Sequence, residues 1–375
     1  MSEGSEQRRV IVCAGSGGVG KTTTSAALAM ALAASGRRVA VLTIDPARRL
    51  ADAMDVGAIG NAARRVPLEQ VLPGCPGTLH AVMLDQKATF DGVVSRFAPS
   101  DEIRDRILKN HYYQYTSSKL AGTHEYMAME KLFELYHSGD YDVVVLDTPP
   151  ARHALEFLEA PERLKGLFDD GVMRWITLPR DNVGFKVLER GSTALVSVLK
   201  KLVGSRTMSD IAEFFHAFQD LWGGIRERSA AVRALLASEV TTFLLVTTPS
   251  PAAHAQAHEF LKALTNAGMP FGGFLVNRMV PAPTDPAPLD PAALPSAPEG
   301  VDAGDWDRII AAVASAPARQ AELAGADRAA MENLTREAPD VGLWPIPELS
   351  RDVSDLEGLR EVASYLEGPI ELLLG

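Results

Sequence analysis

The sequence predicts an α/β fold: a doubly wound, mostly parallel sheet with an inserted α-helical subdomain. Three observations carry that expectation. Short apolar runs recur at residues 10–12, 38–43, 79–84, 143–146, 242–247, 271–277 and 341–346. Segments of helical periodicity separate most of them, the pattern of strands joined by crossover helices. The first run passes directly into Gly15-Ser16-Gly17-Gly18-Val19-Gly20-Lys21-Thr22, which fits G-x-x-x-x-G-K-[ST], and then into an alanine- and leucine-rich stretch at 22–35. Strand, glycine loop and helix in that order make a phosphate-binding loop.

The residue types follow from what a triphosphate requires. Backbone N–H groups can surround phosphate oxygens only where no side chain blocks the approach, and Gly15, Gly17, Gly18 and Gly20 leave that space. The helix beginning after Gly20 presents its positive dipole end to the same place. Lys21 can reach the terminal phosphates, and the Thr22 hydroxyl is placed to ligate Mg²⁺. The expected nucleotide-binding set is therefore Gly15, Ser16, Gly17, Gly18, Val19, Gly20, Lys21, Thr22 and Thr23.

Next in order, the strand at 38–43 leads into Ile44-Asp45-Pro46-Ala47-Arg48-Arg49. A carboxylate at a strand's C-terminal end faces the crevice where ligands bind in open α/β sheets, so Asp45 stands where a water could be activated. Asp before Pro also begins many helices, and position alone leaves both readings open. After the strand at 79–84, residues 87–139 turn helical and amphipathic. Their methionines and aromatics, Tyr112, Tyr113 and Tyr115 among them, read as packing. Val143-Val144-Val145-Leu146-Asp147 is the Walker B pattern, and Asp147 can hold a Mg²⁺ shell through water.

Residues 155–237 are again helical, interrupted at Pro161, Pro179 and Gly204, with an apolar surface that suits a layer over the sheet or a client groove. In the helix at 252–267, His254 and His258 are four apart, but no third metal ligand is evident. Helices at 305–336 and 356–366 flank the last strand. The expected organisation is a flexible tail at 1–8, a core of 9–86, 141–154 and 240–375, and a helical subdomain of 87–140 and 155–239. A proline-rich surface loop at 281–303 lies within the core.

With 46% hydrophobic and 23% charged residues, the 375-residue chain has the composition of an ordinary globular protein. Lys+Arg 37 against Asp+Glu 48 gives a net charge of −11, which argues against holding nucleic acid by bulk charge. Residues 1–9 are polar, and the longest helical apolar run, 26–34, is too short to span a bilayer. A cytoplasmic protein is expected, with peripheral membrane contact left open. Cys13 and Cys75 are too few for a disulfide framework or a four-cysteine zinc site within one chain.

On Gly15–Thr23, Asp45-Pro-Ala-Arg-Arg-Leu-Ala-Asp52 and Asp147-Thr-Pro-Pro-Ala-Arg-His153, the chain resembles the ArsA family of P-loop ATPases, of the deviant Walker A class. That family includes the arsenite-pump ATPase and the eukaryotic factor that targets tail-anchored membrane proteins. The likeness extends to Leu120-Ala-Gly-Thr-His-Glu-Tyr-Met127, Val276-Asn277-Arg278 and Pro345-Ile346-Pro347-Glu348, and is strongest toward bacterial, especially actinobacterial, members. The resemblance implies ATP and Mg²⁺ as cofactors, with Lys21 and Thr22 on phosphates and metal, Asp45 orienting the attacking water, and Asp147 in the second switch. It implies that Asn277 reads adenine, that the Pro347 loop packs near the base, and that Arg278 belongs to the nucleotide-binding set. It further implies a dimer, homomeric or with a paralogous subunit, that closes on ATP and opens after hydrolysis. A helical subdomain would handle a client or membrane partner; an energising subunit of a transport system and a ParA-like positioning ATPase are the rival readings.

Three departures qualify the resemblance. Family members place a lysine where Ser16 stands, reaching the partner's phosphates, and Arg48, Arg49 or Arg152 are candidates to replace its charge. Cysteines for an intersubunit zinc or for arsenite are missing, since metalloid binding needs several converging thiolates. Ser250 stands where relatives often carry a ribose-contacting glutamate.

Overall fold

The computed structural model describes residues 8–44, 49–57, 60–117, 123–148, 205–339 and 341–374. Its strands are β1 (Arg9–Gly15), β2 (Arg38–Thr43), β3 (Arg64–Arg65), β4 (Thr78–Met83), β5 (Val143–Asp147), β6 (Thr241–Thr247), β7 (Phe271–Met279) and β8 (Gly342–Pro347). They form a sheet in the order β3-β4-β2-β5-β1-β6-β7-β8. Every neighbouring pair is parallel except β3 with β4. The fold is therefore an α/β, P-loop NTPase-like sheet, as the alternation of elements predicts. From β1 the chain runs outward to β2 and β4, returns to insert β5 beside β1, and then builds β6, β7 and β8 on the other side. That reversal puts the C-terminal ends of β1, β5 and β2 at one crevice, where doubly wound sheets bind ligands.

The helices are α1 (Lys21–Ala34), α2 (Arg49–Ala53), α3 (Gln86–Phe97), α4 (Asp101–Lys109), α5 (His111–Thr116), α6 (Thr123–Ser138), α7 (Ser205–Leu236), α8 (Pro251–Asn266), α9 (Ala303–Glu337), α10 (Leu356–Ala363) and α11 (Glu367–Leu374). Both faces of the sheet are covered, so its central strands read as unbroken apolar runs. Alternate residues serve opposite layers. Val10, Val12, Ala40, Leu42, Val144 and Leu146 join the cluster formed with α3 to α8. Ile11, Cys13, Val39, Val41, Val143 and Val145 join the cluster of α1, α2, α10 and α11. Helix α1 is buried continuously from Thr24 to Ala33, and its small alanines let it lie close between the sheet and α10.

Helices α3 to α7 pack on one another and share one apolar cluster with the sheet face beneath them. At their meeting point Glu130 of α6 is 2% exposed. It accepts from Nε and Nη2 of Arg228 on α7 at 3.0–3.1 Å and pairs with Arg96 of α3. The Arg228 guanidinium also lies 4.0 Å from the centre of the Phe133 ring.

Three details depart from the sequence reading. The pair β3–β4 adds a short antiparallel edge, because Arg64 and Arg65 carry no apolar period to announce a strand. The closing helix expected at 356–366 ends at Ala363 as α10, and a further helix beyond the expected bounds, α11, starts at Glu367 with Pro369 in its first turn, where the missing N–H costs nothing. Helix α9 runs for 35 residues through Pro317. The proline-rich segment docks there, Leu289 N donating to the Ala314 carbonyl at 2.9 Å, in the turn that Pro317 disturbs.

Candidate functional site

The site grows from the end of β1. Gly15 lies so close to β6 that a Cβ would sit 2.2 Å from the Val246 carbonyl oxygen. Gly18 and Gly20 adopt φ of +81° and +90°, a region that side chains disfavour. Together they turn the chain tightly from strand into α1. The first turn of α1 has neither an acidic residue nor a side-chain cap, so its amide dipoles are left for an incoming anion. Lys21, 8% exposed, folds back along the loop and donates from Nζ to the Ser16 carbonyl at 2.9 Å.

Asp147 closes β5 beneath this loop and is 1% exposed. Its Oδ2 accepts from the Thr22 hydroxyl at 2.8 Å and from the Thr43 hydroxyl at 3.0 Å. The strand register explains the second contact, since Thr43 pairs with Asp147 and Asp147 with Cys13 across β2, β5 and β1. The next residue anchors the turn: Thr148 donates its N–H at 3.2 Å and its hydroxyl at 2.9 Å to the Cys13 carbonyl. The Cys13 thiol is pushed up to about 12, first by burial and also by the Asp147 charge, so it is a packing group here and no nucleophile.

A hydroxyl and a carboxylate joined at 2.8 Å are hard oxygen donors of the kind Mg²⁺ takes, together with phosphate oxygens and waters. Among the described residues no group of three or more His, Cys, Asp or Glu gathers into a metal cage. A Mg²⁺ ion that arrives with a nucleotide fits this donor set; a resident all-protein metal centre does not.

From the far side, Asn277 of β7 donates its Nδ2 to the Val19 carbonyl at 2.9 Å. A Cβ on Gly20 would fall 2.2 Å from that same Nδ2, so glycine there makes room for the contact. Arg278 follows with φ of +59°, inside the register shift between Val276 and Met279, and its side chain is exposed. This bulge returns the strand to pair Met279 with Pro347, and Glu348 N donates to the Met279 carbonyl at 2.8 Å.

Comparison with known proteins matches the sequence to a known family. The sequence model of the ArsA ATPases, described as anion-transporting ATPase, matches residues 8–289. The chain belongs to the ArsA family. It is similar to ATPase ARSA1 of Chlamydomonas reinhardtii, 26% identical over 301 residues that cover 75% of this chain and 36% of that protein. It is also similar to ATPase GET3 of Malassezia globosa, 32% identical over 155 residues, 41% of this chain and 43% of that one. A third relative is ATPase get3 of Aspergillus terreus, 34% identical over 158 residues, 42% of this chain and 44% of that one. The chain thus spans 36 to 44% of the length of these curated relatives.

Within this ArsA-family fold, the residues expected from sequence divide by where the structure puts them. Gly15 to Thr23 and Asp147 come together at one crevice, and Asn277 touches the same loop. Asp45, Arg48 and Arg152 lie outside the described residues, as does the side chain of Arg49 at the start of α2. Ser250 is engaged as the N-cap of α8, accepting from Ala253 N and sharing a hydrogen bond with Thr248. Sequence reasoning missed Thr43. A hydroxyl ending an otherwise apolar strand, level with the aspartate of a Walker B strand, is the signal that pointed to it.

Proposed function

We propose that the protein is a Mg²⁺-dependent ATP hydrolase acting as a nucleotide switch. The observation that carries this reading is the contact of Thr22 with Asp147 at 2.8 Å beneath the glycine loop, with Lys21 folded along that loop. Lys21 and the loop amides take up the negative charge of the terminal phosphates, and they do so without reorganising at the moment of reaction. Thr22 and Asp147 are the residues that would hold Mg²⁺, Asp147 through water, and the ion would supply neutralisation of phosphate charge. Asp45 places the attacking water in line with the γ-phosphorus.

Output is a conformational cycle. The protein works as a dimer, with itself or a paralogous subunit, closing on ATP and opening after hydrolysis. The helical subdomain of residues 87–140 and 155–239 transmits that cycle to a client or membrane partner. Ser16 offers no cationic side chain, so Arg48, Arg49, Arg152 or a partner subunit's lysine completes the charge around the phosphates. With two cysteines in the chain, arsenite is not proposed as the cargo.

ATP turnover and solution mass, measured with and without Mg²⁺ for wild type, Lys21→Ala and Asp45→Asn, test this reading. Wild type turns over only with Mg²⁺, and Lys21→Ala lowers turnover by at least about 100-fold, as expected for a lost charge stabiliser. Asp45→Asn keeps ATP binding while losing turnover. An inactive wild-type monomer that binds ATP moves the missing charge to a second subunit, whereas a protein that binds no ATP rejects the reading.

A further inference from the structure

We propose that Thr43 is a positioning residue for the metal-binding carboxylate of this site, an inference that rests on the ATPase reading above. Four observations lead there. Thr43 is 1% exposed, yet the interior positions before it on β2, Val39, Ala40, Val41 and Leu42, are all apolar. A valine would suit the strand equally well and spare the desolvation of a hydroxyl, so packing does not account for threonine. The Thr43 hydroxyl donates to Oδ2 of Asp147 at 3.0 Å, the same oxygen that Thr22 reaches at 2.8 Å. Finally, Thr43 and Asp147 are register partners, so the two parallel strands themselves hold the pair in place.

Two hydroxyls on one carboxylate oxygen have different freedoms. Thr22 sits in the first turn of α1 and must also serve the metal and phosphates. Thr43 sits in a buried strand paired in register with β5, so the backbone itself holds its hydroxyl on the carboxylate whether or not the nucleotide is present. It also ties Asp147 to the strand that enters the Ile44-Asp45 segment, which links the two switch segments by one hydrogen bond. Removing the hydroxyl leaves the carboxylate in place but less well oriented, and the deficit falls on the Mg²⁺-dependent part of binding.

The test compares wild type, Thr43→Val and Thr43→Ser. Each is titrated with ATP in EDTA, then with Mg²⁺ at fixed ATP, and followed by turnover and thermal unfolding. Thr43→Val raises the Mg²⁺ needed for half-maximal ATP binding by about tenfold, the worth of one hydrogen bond to a charged group. Its ATP affinity in EDTA stays within about twofold of wild type, and Thr43→Ser restores the Mg²⁺ requirement to within about threefold. If Thr43→Val does not fold, Thr43→Cys, a weak donor of similar size to serine, carries the same comparison. A variant that is less stable but has an unchanged Mg²⁺ requirement assigns Thr43 to packing and overturns the inference, as does failure of serine to rescue. Wild type that binds no ATP under any condition overturns the ATPase reading and this inference with it. Wild type that binds and hydrolyses ATP beside an indistinguishable Thr43→Val overturns this inference alone.

Discussion

Asp147 and Glu130 are the two buried carboxylates among the described residues, 1% and 2% exposed, and the molecule holds them in different ways. Glu130 lies between two guanidiniums, Arg228 on α7 and Arg96 on α3. Those partners bring full positive charge as well as hydrogen bonds, and Arg228 is itself pinned over the Phe133 ring. Asp147 takes hydrogen bonds from the hydroxyls of Thr22 and Thr43. Hydroxyls orient a carboxylate without neutralising it. One arrangement staples three helices together; the other keeps an oriented negative charge at the mouth of a phosphate-binding loop. Burial is alike in the two carboxylates, whereas the side chains shown to hold them differ, guanidiniums for Glu130 and hydroxyls for Asp147.

The sharpest way to break this comparison is to neutralise each carboxylate in turn. Glu130→Ala leaves two guanidiniums facing each other and lowers unfolding free energy by about 3 kcal/mol, the lower end for a broken buried pair because Arg96 is half exposed. Asp147→Asn keeps the shape and costs about 1 kcal/mol or less, while abolishing the Mg²⁺ dependence of ATP binding. Urea unfolding alongside nucleotide titration checks both, and equal stability losses in the two variants would erase the distinction.

A smaller effect sharpens the functional half. Gly20→Ala must place a Cβ against Asn277 Nδ2 at a φ of +90°. It costs about 1–2 kcal/mol in stability and weakens ATP binding, because the loop and β7 must part. Asn277→Ala in the same background relieves the clash and recovers part of the stability loss, a coupling that a double-mutant cycle reads directly.

The smallest effect comes from neither site and calibrates the rest. His80 of β4 packs edge-on to Tyr141, and its pKa falls below the ordinary 6.5 through burial first and the Arg65 charge second, with Asp140 opposing. The folded protein therefore binds fewer protons here than the unfolded chain in the window just below 6.5. Stability from the neutral ring is complete above that value and is lost as pH falls through the window. Melting temperatures at about pH 7.5 and about pH 5.5 show a larger acid loss for wild type than for His80→Gln.

Much of the fold was legible because the signals are local. Strands β1, β2 and β5 are continuous apolar runs, and the glycine spacing at 15–20 specifies a backbone path that other residues resist. Asp147 was legible for the same reason, four apolar residues ending in a carboxylate. Less legible were β3, two arginines with no period, and α11, a short helix with Gly368 and Pro369 in its first turn. Resemblance assigns Asn277 to the adenine, and its Nδ2 donates to the Val19 carbonyl of the glycine loop, a contact that no local signal announces.

By itself, the sequence determined the succession of the parallel strands and the main helices between them, the glycine loop, and the strand that ends in Asp147. These depend on periodicity, glycine conformation and the chemistry of phosphate, all of which act over a few residues. Only the tertiary structure decided which distant groups meet. Thr43 reaches Asp147 across 104 positions and Asn277 reaches Val19 across 258, because β5 inserts between β2 and β1 and because β7 bulges at Arg278. Glu130 finds Arg228 because α6 and α7 lie together on one face of the sheet. Strand order and register are set by packing of the whole chain, and no short stretch of sequence contains them.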